Sequence, residues 1–290
     1  LTHSLEIGRS VTLVGLPHEL GQPDLRPVID ANGTLLDPRR AIRVGNGTSV
    51  SLVGLAITGG YVDGRALGPC TSCGAGVYNL GKLTVSHCHV YSNHASGNSS
   101  EPGSAEWHPQ FSGGGLSSEG GATLTLRHSS VHANTATNGG GVHANNGGEL
   151  HIRQSEVYDN TGNVDGGGIL VGLHATVEVT NTNISNNVAK ANGGGVFIYE
   201  DAMVHLDGIV MDGNRAFNGG GLCTHNCGNS SHCAFMHTAA QISIHHLTAR
   251  SNNATARGGS FLCGSSCRLD LSAAIVADSS AFEGGALFVE

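Results

Sequence analysis

Gly139-Gly140-Gly141-Val142, Gly166-Gly167-Gly168-Ile169 and Gly193-Gly194-Gly195-Val196 are one phrase written three times, and it stands again at residues 113–116 and 219–222. The aliphatic residues that close it, Leu116, Val142, Ile169, Val196 and Leu222, fall 26 or 27 positions apart. Each period also carries an asparagine, Asn134, Asn160, Asn187 or Asn214, eight or nine residues before the next aliphatic. Self-similarity at a fixed period of this size is the signature of stacked structural repeats.

Working outward from the glycines, a second signal alternates at period two. It runs through Leu83/Val85, Leu124/Leu126, Leu150/Ile152, Val177/Val179, Val204/Leu206, Ile242/Ile244 and Leu269/Leu271. A third aliphatic, Val90, Val131, Val157, Ile184, Met211 or Val276, stands three residues before the asparagine position. Period-two alternation marks strands with one face turned inward, and no window carries a 3.6-residue stripe. Three short strands per turn, in about nine to ten coils, predict an all-β fold: a right-handed parallel β-helix. At strand spacing, nine coils make a rod on the order of 43 Å long. The glycines suit tight corners. The asparagines Asn93, Asn134, Asn160, Asn187, Asn214 and Asn252 are read as an internal ladder bonding coil to coil.

The repeats run through most of the 290 residues, so one domain is expected. Residues 1–73 form irregular opening coils: 10–16 and 49–55 are near copies 39 positions apart, and 61–73 is an insertion. Residues 74–290 carry the regular repeats, with insertions near 97–112 and 228–240. No polar cap is visible at the end, which predicts a continuing chain or a covering partner. Aromatic residues make up 4% and charged residues 12%, beside 45 glycines, which fits thin aliphatic cores and glycine corners. A net charge of −8 argues against nucleic acid, which requires a basic face. No apolar run reaches the length of a membrane span. The partners expected are other chains of the same assembly, by self-association, and glycans; no cofactor is expected.

Six Asn-x-Ser/Thr sequons, at Asn32, Asn46, Asn98, Asn183, Asn229 and Asn253, and eight cysteines point to an extracellular or cell-surface eukaryotic protein. The cysteines form two groups, Cys70, Cys73 and Cys88, then Cys223, Cys227, Cys233, Cys263 and Cys267. About five coils, roughly 24 Å, separate the groups, whereas a disulfide spans Cα atoms less than about 7 Å apart. Each group therefore leaves one cysteine over. In the first, Cys88 has inward parity and is read as a buried free thiol, with Cys70–Cys73 as a local bridge. In the second, the remaining cysteine is either buried, with Cys263 at inward parity, or paired with another chain; zinc is the alternative use of the close spacings.

The seventeen histidines are read as surface groups. His87 aligns over His128, but that column continues with Gln154, Asn181 and Gly208. Carbohydrate-cleaving β-helices need clustered carboxylates. Here Asp159, Asp165, Glu178, Glu200, Asp201, Asp207 and Asp212 are scattered, with no Asp-Asp pair and no Gly-His-Gly or Arg-Ile-Lys motif. No catalytic or metal site is expected. A more informative column faces outward after the glycines: Leu170, Phe197, Leu262 and Phe288 form an apolar stripe, either a contact surface or a face covered by the insertion at 228–240.

The glycine corner with an upstream asparagine resembles the repeat of the chlamydial polymorphic outer membrane proteins, which pairs GGA[ILV] with FxxN. Gly284-Gly285-Ala286-Leu287 matches the first motif, and Gly258-Gly259-Ser260-Phe261 approximates it. The Phe of the second motif is missing: Val131-His132-Ala133-Asn134 and Val157-Tyr158-Asp159-Asn160 stand in its place. The resemblance covers about residues 74–290 and implies a β-helical surface protein; similar repeats occur in pectin-lyase-like surface proteins of algae and other protists. The expected function is a non-enzymatic structural module of an extracellular glycoprotein, part of an appendage, wall layer or filament. The alternatives are an adhesin binding through its loops, and a polysaccharide lyase or hydrolase.

Overall fold

The computed structural model describes residues 1–16, 26–63, 73–96, 112–199, 201–224, 239–264 and 267–289. All strand pairings between its sheets' neighbours are parallel, and the strands form three long sheets wound as a right-handed parallel β-helix. One coil shows the plan. Val142–Asn145 lies in the first sheet, Glu149–Arg153 and Glu156–Tyr158 lie on two limbs of a bent second sheet, and Thr161–Gly162 lies in the third. The next coil begins at Ile169–Val171, which pairs back onto Val142–Asn145 with Val142 opposite Ile169. The first sheet stacks ten strands, from Leu5–Ile7 to Leu287–Val289.

The strand after the asparagine was not legible in the sequence. At two residues, as in Thr135–Ala136 and Val188–Ala189, it is too short to show alternation. Its first member, Tyr61–Asp63, opens the stretch expected as an insertion and pairs with His94–Ser96. The near copies at 10–16 and 49–55 are neighbours, with Val11 opposite Val50 and Val14 opposite Val53. In Ala240–Arg250 and Cys267–Ala277 the two limbs of the second sheet join into one strand of 11 residues.

The core is a thin column of inward aliphatics. Val142, Ala144, Leu150, Ile152 and Val157 contribute one coil's share, all fully buried, and one cluster runs from Ile7 to Phe261. Each such side chain removed from water contributes about 1.5–3 kcal/mol, and only contacts to the coils above and below are involved. At the last coil Ile275, Leu287 and Val289 are exposed.

Left-handed residues turn each coil at its corners, and besides the turn at Asn146 and Gly147 three of these corners form regular columns. In one coil these are Gln154 (φ 48°), Asp159 (φ 53°) and Gly166 (φ 62°). The first corner forms a column of His87, His128, Gln154, Asn181, Gly208 and His246. Asn, Asp, His and Gly are the residues that enter this region most readily, which is why histidines collect there. The stacking of His87 on His128, centroids 5.0 Å apart, follows from the corner and not from a ligand. At the third corner the central coils leave no room for a side chain. A Cβ on Gly140 would lie 2.4 Å from Thr161 O, and one on Gly141 would lie 2.6 Å from Gly168 O, both on the following coil.

The asparagine ladder is continuous. Asn93, Asn134, Asn160, Asn187, Asn214 and Asn252 are all buried, and each passes its backbone N–H and its Nδ2 to the Oδ1 of the next at 3.0–3.1 Å. The second Nδ2 hydrogen goes to a carbonyl of the coil behind, as from Asn160 to Val131 O at 2.9 Å.

Candidate functional site

The outward column of the first sheet lies where the register predicts, but it is not open. Tyr78, Ser117, His143, Leu170, Phe197, Cys223, Leu262 and Phe288 follow one another coil by coil. Leu170 and Phe197 are 1% exposed, Leu262 3%, and Phe288 is half-buried, packed with Tyr199 and Cys223 in a second apolar cluster. These side chains are covered by the chain's own atoms, which corrects the contact-surface reading of the stripe and agrees with the other reading, cover by the chain itself. Outward parity tells which side of a strand a residue takes, not whether further chain packs on that side. The insertion at 228–240 lies outside the described residues except for 239 and 240.

The other half of this column is polar. His143 is fully buried, its Nδ1 3.1 Å from Glu119 Oε1 and 3.3 Å from Ser117 Oγ. Asn146 Nδ2 donates to Glu119 Oε2 at 3.3 Å. Burial pushes the Tyr78 phenol up, with the Glu119 charge adding to it. A Ser-His-acid catalytic group needs the acid on one imidazole nitrogen and the nucleophile on the other. Here both partners meet Nδ1, while Nε2 is buried without a partner, as are both polar atoms of the Asn145 side chain. The arrangement fixes the imidazole and does not match the relay geometry of such a group.

The outer face of the second sheet holds a shallow groove of about 510 Å3, lined among others by His151, Glu178, His205, Ser243, Arg268 and Asp270. The column His151, Glu178, His205, Ser243, Asp270 is set by the strand register. Glu178 is tied to its neighbours. Arg153 Nη2 reaches Glu178 Oε2 at 2.9 Å, and His151 Nδ1 lies 3.1 Å from the same oxygen. These bonds, Arg153 first, hold the Glu178 carboxyl below its usual range. His246 does the same for Asp207 at 2.8 Å. On the other limb Tyr91, His132 and Tyr158 stack face to face at 5.3 and 4.7 Å, so His132's two faces are taken by its neighbours. Among the described residues no group of three or more His, Cys, Asp or Glu converges as a metal site requires.

Two further ladders run beside that of the asparagines: the Cys88, Ser129 and Ser155 column was legible in the sequence, the one before the glycines was not. Cys88, Ser129, Ser155 and Thr182 share the corner after the left-handed histidine column; Cys88 N–H donates to Ser129 Oγ at 3.0 Å and Ser129 N–H to Ser155 Oγ at 3.3 Å. Asn138, Asp165, Asn192 and Asn218, each directly before a glycine triplet, bond in turn through Asp165 N–H to Asn138 Oδ1, Asn192 Nδ2 to Asp165 Oδ1 and Asn218 Nδ2 to Asn192 Oδ1. Their fixed place before the glycines was the available signal.

Cys88 is a buried thiol accepting from Leu55 N–H and donating to Ser86 O, and burial raises its pKa. Cys73 is disulfide-bonded, while Cys70, Cys227 and Cys233 lie outside the described residues. In the second group Cys263 pairs with Cys267, Cα atoms 5.6 Å apart, and Cys223 is the buried thiol. Of the disulfide candidates in this group, Cys263 and Cys267 are therefore bridged, with Cys263 buried as its inward parity implies, while Cys223 corrects its place among them by sitting as a thiol inside the apolar cluster. Of the sequons, Asn32, Asn46 and Asn253 are exposed, Asn183 lies half-buried in the strand Asn183–Ser185, and Asn98 and Asn229 lie outside the described residues.

No helix of the described residues is long and apolar enough to cross a membrane. No curated protein and no solved structure matches the chain. The family described as the right handed beta helix region matches residues 39–238, across the opening coils and the glycine repeats. With parallel sheets, left-handed corners and internal ladders in place, the chain belongs to the right-handed β-helix family.

Proposed function

We propose that this chain is a non-enzymatic structural module of an extracellular glycoprotein, part of a cell-surface appendage, wall layer or filament assembled through β-helix contacts. The observation that carries this is where the polar groups go. Three ladders use asparagine, aspartate, serine and cysteine side chains to bond coil to coil. Charges beside the groove form pairs across coils, as in Arg153–Glu178 and His246–Asp207. Disulfides and exposed sequons support the extracellular setting. Kinship with the chlamydial surface repeats, carried by residues 284–287, is the finer form of the same reading.

The groove over Glu178 and His205 favours a second reading, an adhesin holding an extended glycan by hydrogen bonds along the sheet, with the insertions near 97–112 and 228–240 as added contacts. One experiment separates the readings. The protein is incubated with acidic and neutral polysaccharides, with and without calcium, and both retention and new chain ends are measured. Neither retention nor cleavage is expected. Retention without cleavage selects the adhesin, and new reducing or unsaturated ends refute a non-enzymatic role.

A further inference from the structure

An exposed apolar line lies elsewhere than the sequence placed it, at the corner before the glycine triplets. Val164, Ala191, Phe217, Ala256 and Phe282 each directly precede a member of the column Asp165, Asn192, Asn218, Arg257 and Glu283. Asn192 N–H donates to Asp165 Oδ1, and backbone pairing keeps the rest of the column aligned through Asn192–Asn218, Asn218–Arg257 and Arg257–Glu283. Val164 is 40% exposed, Phe217 51% and Phe282 86%, while Ala191 and Ala256 lie between them. Val164 and Phe217 sit within the stack, with coils on both sides, so their exposure belongs to the face and not to an end.

The line alternates large and small with a repeat of two coils, about 10 Å. Beside Phe217 the facing strand shifts register between Ala216 and Asn218, so the smaller Thr255-Ala256 pair stands next to the ring. A surface of this kind is its own complement when reversed. Two copies laid antiparallel, with a twofold axis midway between the coils of Phe217 and Ala256, place each Phe217 over Ala256 of the copy. They also place each Phe282 over Ala191 of the copy. Parallel copies in register would set Phe against Phe. In the antiparallel arrangement the adjoining column sets Asn192 against Glu283 and Asn218 against Arg257, so no like charges face each other within it.

We infer that this stripe is a self-complementary side-to-side contact between two antiparallel copies of the chain, an isologous interface built of phenylalanine knobs and alanine holes. It deepens the structural-module reading and rests on it by supplying the lateral contact.

The test is sedimentation velocity over a concentration series reaching about 100 μM. Three variants accompany the natural chain: Phe217→Ala, Ala256→Phe and the double swap that carries both changes. The side chains at both positions lie at the surface, and circular dichroism confirms that each variant keeps its sheet. Expected is a dimer in the natural chain, a rise of about tenfold or more in Kd for either single change, and recovery in the double swap, where the ring now at position 256 of one copy meets the methyl group now at position 217 of the other. A dimer indifferent to all three variants, or a swap no better than the singles, overturns the stripe while leaving self-association intact. A monomer throughout overturns both the stripe and the lateral assembly it serves.

Discussion

At the scale of single residues, the asparagine ladder shows how a polar side chain becomes structural. Asn160 Oδ1 accepts from Asn134, while Asn160 Nδ2 donates to Val131 O and to Asn187 Oδ1. Asn160→Ala removes all of these and strands buried donors and acceptors on both neighbouring coils, at about 1–3 kcal/mol for each group left unsatisfied. A fall in the urea midpoint is therefore expected, and Asn160→Asp should not rescue it, because a carboxylate keeps the acceptor but loses both donors. Glu178 gives a smaller effect with a definite sign. Its folded pKa is depressed, chiefly by Arg153, so its contribution is present above the unfolded value near about 4.3 and is lost as pH falls through the folded value. With its side chain 32% exposed, the contribution stays below about 1 kcal/mol. Glu178→Gln should lower stability slightly at pH 7, and the difference should shrink as pH falls through the folded pKa, below which both chains carry a neutral group; a loss that does not change with pH would contradict this.

At the scale of the coil, the corners decide which residues repeat. The first two corners accept His, Asn, Asp or Ser because the left-handed backbone is open to solvent there; the third faces the next coil, so its residues are nearly all glycine. Gly140→Ala should cost about 1–3 kcal/mol, since its Cβ would meet Thr161 O and Gly167 O, both backbone atoms that cannot swing away. Gly147→Ala isolates the other cost a glycine position can carry: its φ of 77° is left-handed, but a Cβ there meets nothing within 4 Å. It should cost about 1 kcal/mol. A loss at Gly140 no larger than that at Gly147, measured by chemical denaturation, would mean that crowding by the next coil does not govern the triplet.

At the scale of the molecule, each coil touches only its neighbours, so disturbance should stay local. The bridge Cys263–Cys267 closes a short loop next to the last described coils. In a chain with both cysteines changed to serine, hydrogen exchange should quicken in Ala240–Arg250 and Cys267–Ala277. The strands from Leu116–Glu119 to Val196–Ile198 should keep their protection, and a uniform rise along the stack would show that the solenoid opens as one unit.

The sequence by itself determined the fold, because in a solenoid the local pattern and the tertiary contact are the same fact: a residue meets its own equivalent one period away. Hence the glycine triplets, the alternating Leu150/Ile152 pairs and the asparagines sufficed to place three of the four strands of a coil, the core and the asparagine ladder. Only the tertiary structure decided what breaks that identity. Outward parity could not say that Leu170 and Phe197 are buried while Phe217 is exposed, since covering a face depends on chain that does not repeat. Spacing could not say which of Cys223 and Cys263 is bridged, since a disulfide answers to distance in space. Nor could it show that Glu119 and Ser117 meet one nitrogen of His143, a geometry set by rotamers on two neighbouring strands.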